Sequence, residues 1–257
     1  MSRVSIPFIQ TSLKMSDNER SKLTGIEKDI HGQSSTRLKC LINNLASKVN
    51  TKYLEVGVYK GSTAISAMFD NPKTKVTGIE HFLYDDREAQ KWAPEGFIWD
   101  NMKSQLEANL ERYRSHPEKM NKENFQLIEG DFREVTLKDK YDLCYFDVAP
   151  VSPEIYQAFF DKILPSLTNE CVVIFSQQSN SVQAQMLNDV FTDNDDRVEV
   201  LMKEYRISNS MSDAYKYFSG IAMVGFKKKS GVAPKAVTAN VKINSANVKT
   251  TTGTTKK

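Results

Sequence analysis

Three short stretches set acidic side chains beside glycines, and a fourth ends in a lone aspartate, in spacings suited to holding a polar ligand. The first is Glu55-Val56-Gly57-Val58-Tyr59-Lys60-Gly61-Ser62-Thr63. Gly57 permits a sharp turn and a close approach of a ligand to the backbone. Gly61 and Ser62 open a helix, whose first N–H groups favour polar or anionic ligand groups. The second is Gly78-Ile79-Glu80-His81, where a carboxylate can accept two hydrogen bonds from the vicinal hydroxyls of a ribose. The third, Glu129-Gly130-Asp131-Phe132, offers an acceptor for an exocyclic amine and a ring for stacking. The fourth is Asp147. Glu55 is the most telling of these, because a carboxylate inside an apolar run is costly to bury without a partner. A ligand ammonium is one candidate partner. Ordinary roles compete: Asp131 can cap a turn, and Glu80 can pair with a surface lysine.

These residues need elements to bring them together. Apolar periodicity predicts a helix over 35–49, with Leu38, Leu41, Ile42, Leu45 and Val49 on one face. A strand over 52–58 follows, then a helix from 62 that Asn71-Pro72 stops. Further strands are expected at 75–79, 125–128, 141–146 and 171–175, with helices over 153–164 and 181–191. Two late strands, 198–205 and 217–226, lack a helix between them and predict an antiparallel hairpin at one edge. Strands alternating with helices imply right-handed crossovers and a mainly parallel sheet covered on both faces. In such a sheet ligands bind beyond the carboxyl ends of the strands, where strand order reverses. All four acidic stretches finish a predicted strand.

The chain of 257 residues is 40% hydrophobic and 26% charged, enough for one substantial core. Fibrous and wholly disordered classes are excluded by this balance. Eight of the 35 basic residues lie in 227–257, where no acidic residue occurs, so residues 1–226 carry 27 basic against 32 acidic side chains. An acidic body gives no electrostatic footprint for a nucleic-acid backbone, and only the tail could provide one. The tail from about 230 repeats Ala-Asn-Val-Lys at 239–242 and 246–249 and has few large apolar groups; it reads as disordered. The expected organisation is an N-terminal extension (1–34), one α/β domain (35–229) with an inserted segment at 83–124, and a basic tail (230–257). The insertion holds Trp92 and Trp99, which with Phe97 could cover a pocket or anchor a helix. No run approaches the ~20 apolar residues of a membrane span, and the first residues do not read as a secretory signal. A cytoplasmic protein is expected. Cys40, Cys144 and Cys171 are too few and too far apart for a disulfide framework or zinc cluster.

The ordered set of strand ends resembles class I S-adenosylmethionine-dependent methyltransferases. Tyr59 in place of a middle glycine, followed by Gly61-Ser62-Thr63, is most similar to small O-methyltransferase groups. These include macrocin- and rhamnosyl-type sugar O-methyltransferases and short methyltransferase-like proteins of bacteria and phages. The resemblance implies a Rossmann-like, doubly wound, mainly parallel seven-stranded α/β sheet with an antiparallel edge strand. It implies S-adenosylmethionine as cofactor and a small molecule or glycan as acceptor, with a homo-oligomer possible. Glu55 and Gly57 would then shape the methionine end, with Tyr59, Gly61 and Ser62 lining the loop. Glu80 would hold the ribose hydroxyls, with His81 or Phe82 beside the adenine. Asp131 would meet the adenine amine next to Phe132, and Asp147 would sit near the methionine amino group and the acceptor. As proton acceptor the resemblance leaves His81 or Asp147; a neutral imidazole could take a hydroxyl proton, or His81 could simply pack.

Some features depart from that pattern. The expected fifth strand ends in Phe175-Ser176-Gln177-Gln178, without a carboxylate, and Asp147 is followed by Val148-Ala149-Pro150. One aspartate is a poor site for a hard divalent ion, so no metal is expected. The loop after Asp147 also lacks the paired prolines and aromatic of nucleobase-methylating enzymes. A second reading is therefore a non-catalytic binding protein on this scaffold, docked through its basic tail. A dinucleotide-dependent oxidoreductase is disfavoured, because the third glycine of the Gly-x-Gly-x-x-Gly fingerprint is missing.

Overall fold

The structure, a computed structural model, describes residues 5–82, 102–114, 119–207, 217 and 219–229. The tail at 230–257 and residues 83–101, with Trp92, Phe97 and Trp99, lie outside the described residues, as does His116. Seven strands form one sheet: β1 (Lys52–Val56), β2 (Lys75–Glu80), β3 (Phe125–Glu129), β4 (Tyr141–Phe146), β5 (Leu167–Phe175), β6 (Val198–Arg206) and β7 (Ile221–Lys228). Their order is β3-β2-β1-β4-β5-β7-β6. The first five run parallel, and β7 lies antiparallel between β5 and β6. This is the doubly wound order 3-2-1-4-5-6 with a reversed seventh strand inserted beside the edge. The expected antiparallel pair is present, with β6 outermost.

Helices cover both faces. α1 (Ile6–Asp17), α2 (Thr36–Ala46) and α3 (Ser62–Met68) pack in sequence, and α4 (Met102–Arg114) joins them. Their apolar residues meet Tyr53, Leu143, Tyr145, Val172 and Ile174 from the sheet. The opposite face presents Leu54, Val56, Cys144, Phe146, Val173 and Phe175 to α5 (Pro153–Ala158), its continuation, and α6 (Ser181–Asp193). The alternation follows from the two-residue period of a strand. Strands buried on both faces read as continuous apolar runs, as in YDLCYF and CVVIF. Side-chain caps start three of the described helices. Ser35 accepts from the Leu38 N–H, Ser152 from Ile155 and Asn180 from Gln183.

Several boundaries differ from the sequence expectation, for local reasons. β1 ends two residues early because Gly57 turns out of the sheet with φ 87°. α2 stops at Ala46, ahead of Asn50 at φ 61°. The helix expected over 153–164 is α5 followed by a wider-pitched turn (Phe159–Ile163) and a tight turn (Leu164–Ser166). Pro165 cannot donate the N–H that would extend it. β7 begins only at Ile221, because Ser219 and Gly220 turn with positive φ. α1 escaped the periodicity, since Ser12 and Ser16 share its buried face with Ile9 and Leu13. Residues 5–34 are consequently core elements: Ile9, Leu13, Leu23 and Ile30 belong to the same cluster as α2 and α3.

The tightest backbone approach lies where β1 and β4 finish. The Asp147 N–H donates to the Val56 carbonyl at 2.8 Å and the Gly57 N–H to that of Ile79 at 2.9 Å. A Cβ built on Gly57 would lie 2.0 Å from the Asp147 carbonyl oxygen. Gly57→Ala should destabilise the chain by on the order of 2–4 kcal/mol in urea denaturation, adding a main-chain clash to backbone strain. Gly25→Ala is the control, with φ 95° and no atom within 4 Å of a Cβ built there; the conformational cost of about 1–2 kcal/mol is expected.

Candidate functional site

Strand order reverses between β1 and β4, and the crevice beyond their carboxyl ends is where this topology binds ligands. On β1, Tyr53 and Glu55 are two residues apart and share a face. Glu55 is fully buried. Its Oε2 accepts from the Tyr53 hydroxyl at 2.8 Å and its Oε1 from the Thr63 hydroxyl on α3. Burial pushes its carboxyl up from 4.5 to about 8; these two hydrogen bonds oppose the shift, and the charges of Asp147 and Glu80 add to it.

β4 repeats the arrangement. Tyr145 and Asp147 share a face, and the tyrosine hydroxyl donates to Asp147 Oδ2 at 3.0 Å. The Ser176 hydroxyl, from the end of β5, donates to Oδ1. Burial raises the Asp147 carboxyl; hydrogen bonds from Ser176, Tyr145 and Gln177 oppose it, and Glu80 adds to it. Glu80 closes β2, nearly buried. Its Oε2 accepts from the Tyr59 main-chain N–H at 2.8 Å, and its Oε1 from those of His81 at 2.9 Å and Phe82 at 3.2 Å. A carboxylate offers about four acceptor directions, so Glu80 ties the β1 loop to the end of β2 with most of its capacity.

The loop after β1 is held from outside. Tyr59 and Gly61 take φ of 51° and 75°. The Lys60 ammonium sits 5.2 Å from the centre of the Tyr59 ring. Ser62, buried, shares a 2.7 Å hydrogen bond with Ser34. Asn109 of α4 donates to the carbonyls of Lys60 at 2.8 Å and His31 at 3.3 Å. The N-terminal segment and α4 thus brace the loop. α3 spans only seven residues, and its first side chain is already engaged by Ser34.

The remaining candidates fall differently. Asp131 is paired with Arg133, whose Nε lies 2.9 Å from Oδ1. Chiefly that hydrogen bond holds its carboxyl below the usual range, and His81 contributes. It also accepts from the Arg133 main-chain N–H at 2.8 Å, the turn-capping role. Phe132 is buried in the second core, edge-on to Phe146 with centroids 5.3 Å apart. Its ring packs there instead of lining the crevice. His81 has an exposed side chain and is felt by Asp131, whereas Asp147 is felt by Glu55. The structure therefore couples Glu55, Asp147 and Glu80 at the ends of β1, β4 and β2, and sets Asp131 with His81 and Arg133 at the β3 end. Tyr53, Thr63, Tyr145, Ser176 and Gln177 were not singled out in the sequence. The one available signal was the two-residue spacing Tyr53/Glu55 and Tyr145/Asp147. Among the described residues no three His, Cys, Asp or Glu side chains are grouped to hold a metal ion, and no helix is long and apolar enough to cross a membrane.

No protein-family model matches the chain, and no curated protein matches it. Solved structures show similarity to it. A candidate O-methyltransferase from Nostoc punctiforme PCC 73102 is 13% identical over 85% of this chain and 68% of its own, with a TM-score of 0.50. A candidate caffeoyl-CoA O-methyltransferase from Staphylococcus aureus is 16% identical over 85% and 98%, with a TM-score of 0.47. M. jannaschii TYW2, solved with AdoMet, is 16% identical over 73% and 74%, with a TM-score of 0.48. The Nostoc likeness establishes a Rossmann-like fold of the kind found among methyltransferases.

Glu55 makes stability depend on pH. Its carboxyl holds a proton more firmly folded than unfolded, so its contribution is fully present below about 4.5 and lost as pH rises through about 8. Asp147 acts in the same sense. Between about pH 6 and 8.5 the free chain should lose on the order of 2–3 kcal/mol on this account. Glu55→Gln, which cannot ionise, should flatten that slope in urea denaturation.

Proposed function

We propose that this chain is an S-adenosylmethionine-dependent methyltransferase acting on an oxygen of a small molecule or glycan, without a metal. The observation that carries the reading is the placing of three carboxylates toward the carboxyl ends of neighbouring strands, Glu55 and Asp147 at β1 and β4, where strand order reverses, and Glu80 at the adjoining β2. The described groups that contact Glu55 and Asp147 are hydroxyls and a glutamine side chain. A crevice of that kind suits a ligand that is cationic at one end and rich in hydroxyls. S-adenosylmethionine has that chemistry: an ammonium, a sulfonium and a ribose diol. The fold shared with the Nostoc candidate O-methyltransferase accords with it.

When bound, the cofactor supplies an electrophilic methyl group; the protein's task is to hold the reactants in line and dry. Glu55 and Asp147 would face the methionine end, on the loop that Gly57 and Gly61 turn. Glu80 would present its carboxylate to the ribose while keeping Tyr59 and His81 in place. Asp131 would reach the adenine amine by sharing its oxygens with Arg133. Asp147 is the better placed proton acceptor. It is oriented by Tyr145 and Ser176, and burial raises its affinity for a proton, as a general base near neutrality requires. His81, exposed and beside Asp131, is the lesser candidate.

Calorimetric titration of the full chain with S-adenosylmethionine tests the reading. Saturable binding is expected, weakened about tenfold or more by Glu80→Gln through loss of charge-assisted hydrogen bonds. Absence of heat at millimolar ligand would remove it.

A further inference from the structure

Among the described residues, the polar groups recorded against Glu55 come from three strands and one helix. β1 contributes Tyr53, and α3 contributes Thr63 from a segment, STAISAM, with no ionisable residue. β2 contributes Glu80, and β4 contributes Tyr145 and Asp147, with the Cys144 thiol on the other face of the sheet. None of these is a cation. The nearest lysine on the loop, Lys60, has its ammonium over the Tyr59 ring. Asp147 is in the same position, met by Tyr145, Ser176 and Gln177. Glu55 and Asp147 lie on adjacent parallel strands, with Gly57 in place of a side chain where the Asp147 main chain comes close, and the charge of Asp147 bears on Glu55. A fully buried carboxylate beside a second, half-buried one, with hydroxyls and no cation recorded against either, is disfavoured from ionising.

Resting on the cofactor reading above, we propose that Glu55 is a charge-specificity determinant of this site. With Asp147 it keeps one proton in the free protein and releases it when a positively charged ligand group takes its place. The site thereby prefers the sulfonium cofactor to its neutral-sulfur product. The two ligands share the ammonium and the adenosine and differ by the methyl group and one positive charge. Expulsion of the proton is driven by that charge, because an anion in a low-dielectric crevice is stabilised by a nearby cation far more than in water. Once the sulfur is neutral, the proton returns from solvent and the hold on the ligand weakens. Glu55 would thus act by exchanging one cation for another, with Tyr53 and Thr63 keeping its oxygens in place in both states.

The test is calorimetry of the full chain with S-adenosylmethionine and with S-adenosylhomocysteine, each at neutral pH in phosphate and in Tris. The buffers' unequal ionisation heats report the protons released. Release approaching one proton per site is expected for S-adenosylmethionine and clearly less for S-adenosylhomocysteine. Affinity for the former should rise up to about tenfold per unit between about pH 6 and 7. Glu55→Gln should abolish most of the release and shrink the preference. Tyr53→Phe keeps the carboxylate and removes one hydrogen bond to its charged form, so it should move the pH dependence upward. Binding with buffer-independent heat and flat affinity would overturn the proposal and leave the cofactor reading standing. Binding of neither ligand would overturn both. Should Glu55→Gln fail to fold, an unmoved pH dependence in Tyr53→Phe would count against the proposal.

Discussion

Glu55 lies fully enclosed, and its oxygens are met by the hydroxyls of Tyr53 and Thr63. An ionised carboxylate in such surroundings is expensive unless a positive charge comes near. The fold brings more negative charge instead, from Asp147 and Glu80. This electrostatic deficit is what gives the crevice its chemistry. It is sustained because the hydroxyls satisfy the carboxylates as hydrogen-bond acceptors without neutralising them. A lysine or arginine in either place would relieve the deficit and make the site indifferent to the charge of its ligand.

The deficit depends on how closely β1 and β4 approach. Gly57 lets the Asp147 carbonyl come where a side chain would otherwise stand. The approach is held from both faces of the sheet. On one side α1, α2 and α3 bury Tyr53 and Tyr145, whose hydroxyls donate to the carboxylates. On the other, a layer of edge-on aromatic pairs joins Phe132, Phe146, Phe159, Phe175 and Phe191. Rings packed this way leave little freedom for the strands beneath. Ser34, Asn109 and Glu80 do the corresponding work for the loop between β1 and α3, which packing alone would leave loose.

Much of the fold was legible because its strands are buried on both faces and bounded by glycine, proline and polar turns. LEVG, VTGIE and YDLCYF announce themselves in that way, and the strand-end residues Glu55, Glu80 and Asp147 follow from them. Less of the site was legible. Asp131 offered two roles in the sequence, and the structure shows it engaged with Arg133, two residues on. Phe132 read as a stacking ring because it follows Asp131; the second core claims it, since a large apolar ring gains more by leaving water than by waiting for a ligand. The N-terminal helix was hidden by serines on its buried face.

By itself the sequence determined which residue types stand at the strand ends and that the strands run mainly parallel. These are matters of local pattern: a two-residue period, a turn residue, an acid at the boundary. Only the tertiary structure decided which carboxylates share one environment, which hydroxyls meet them, and that the described groups around Glu55 hold no cation. Those outcomes join residues far apart in the chain, Glu55 with Asp147 about ninety positions on, and Asp147 with Ser176. Side-chain burial and mutual field exist only after the chain has closed around them.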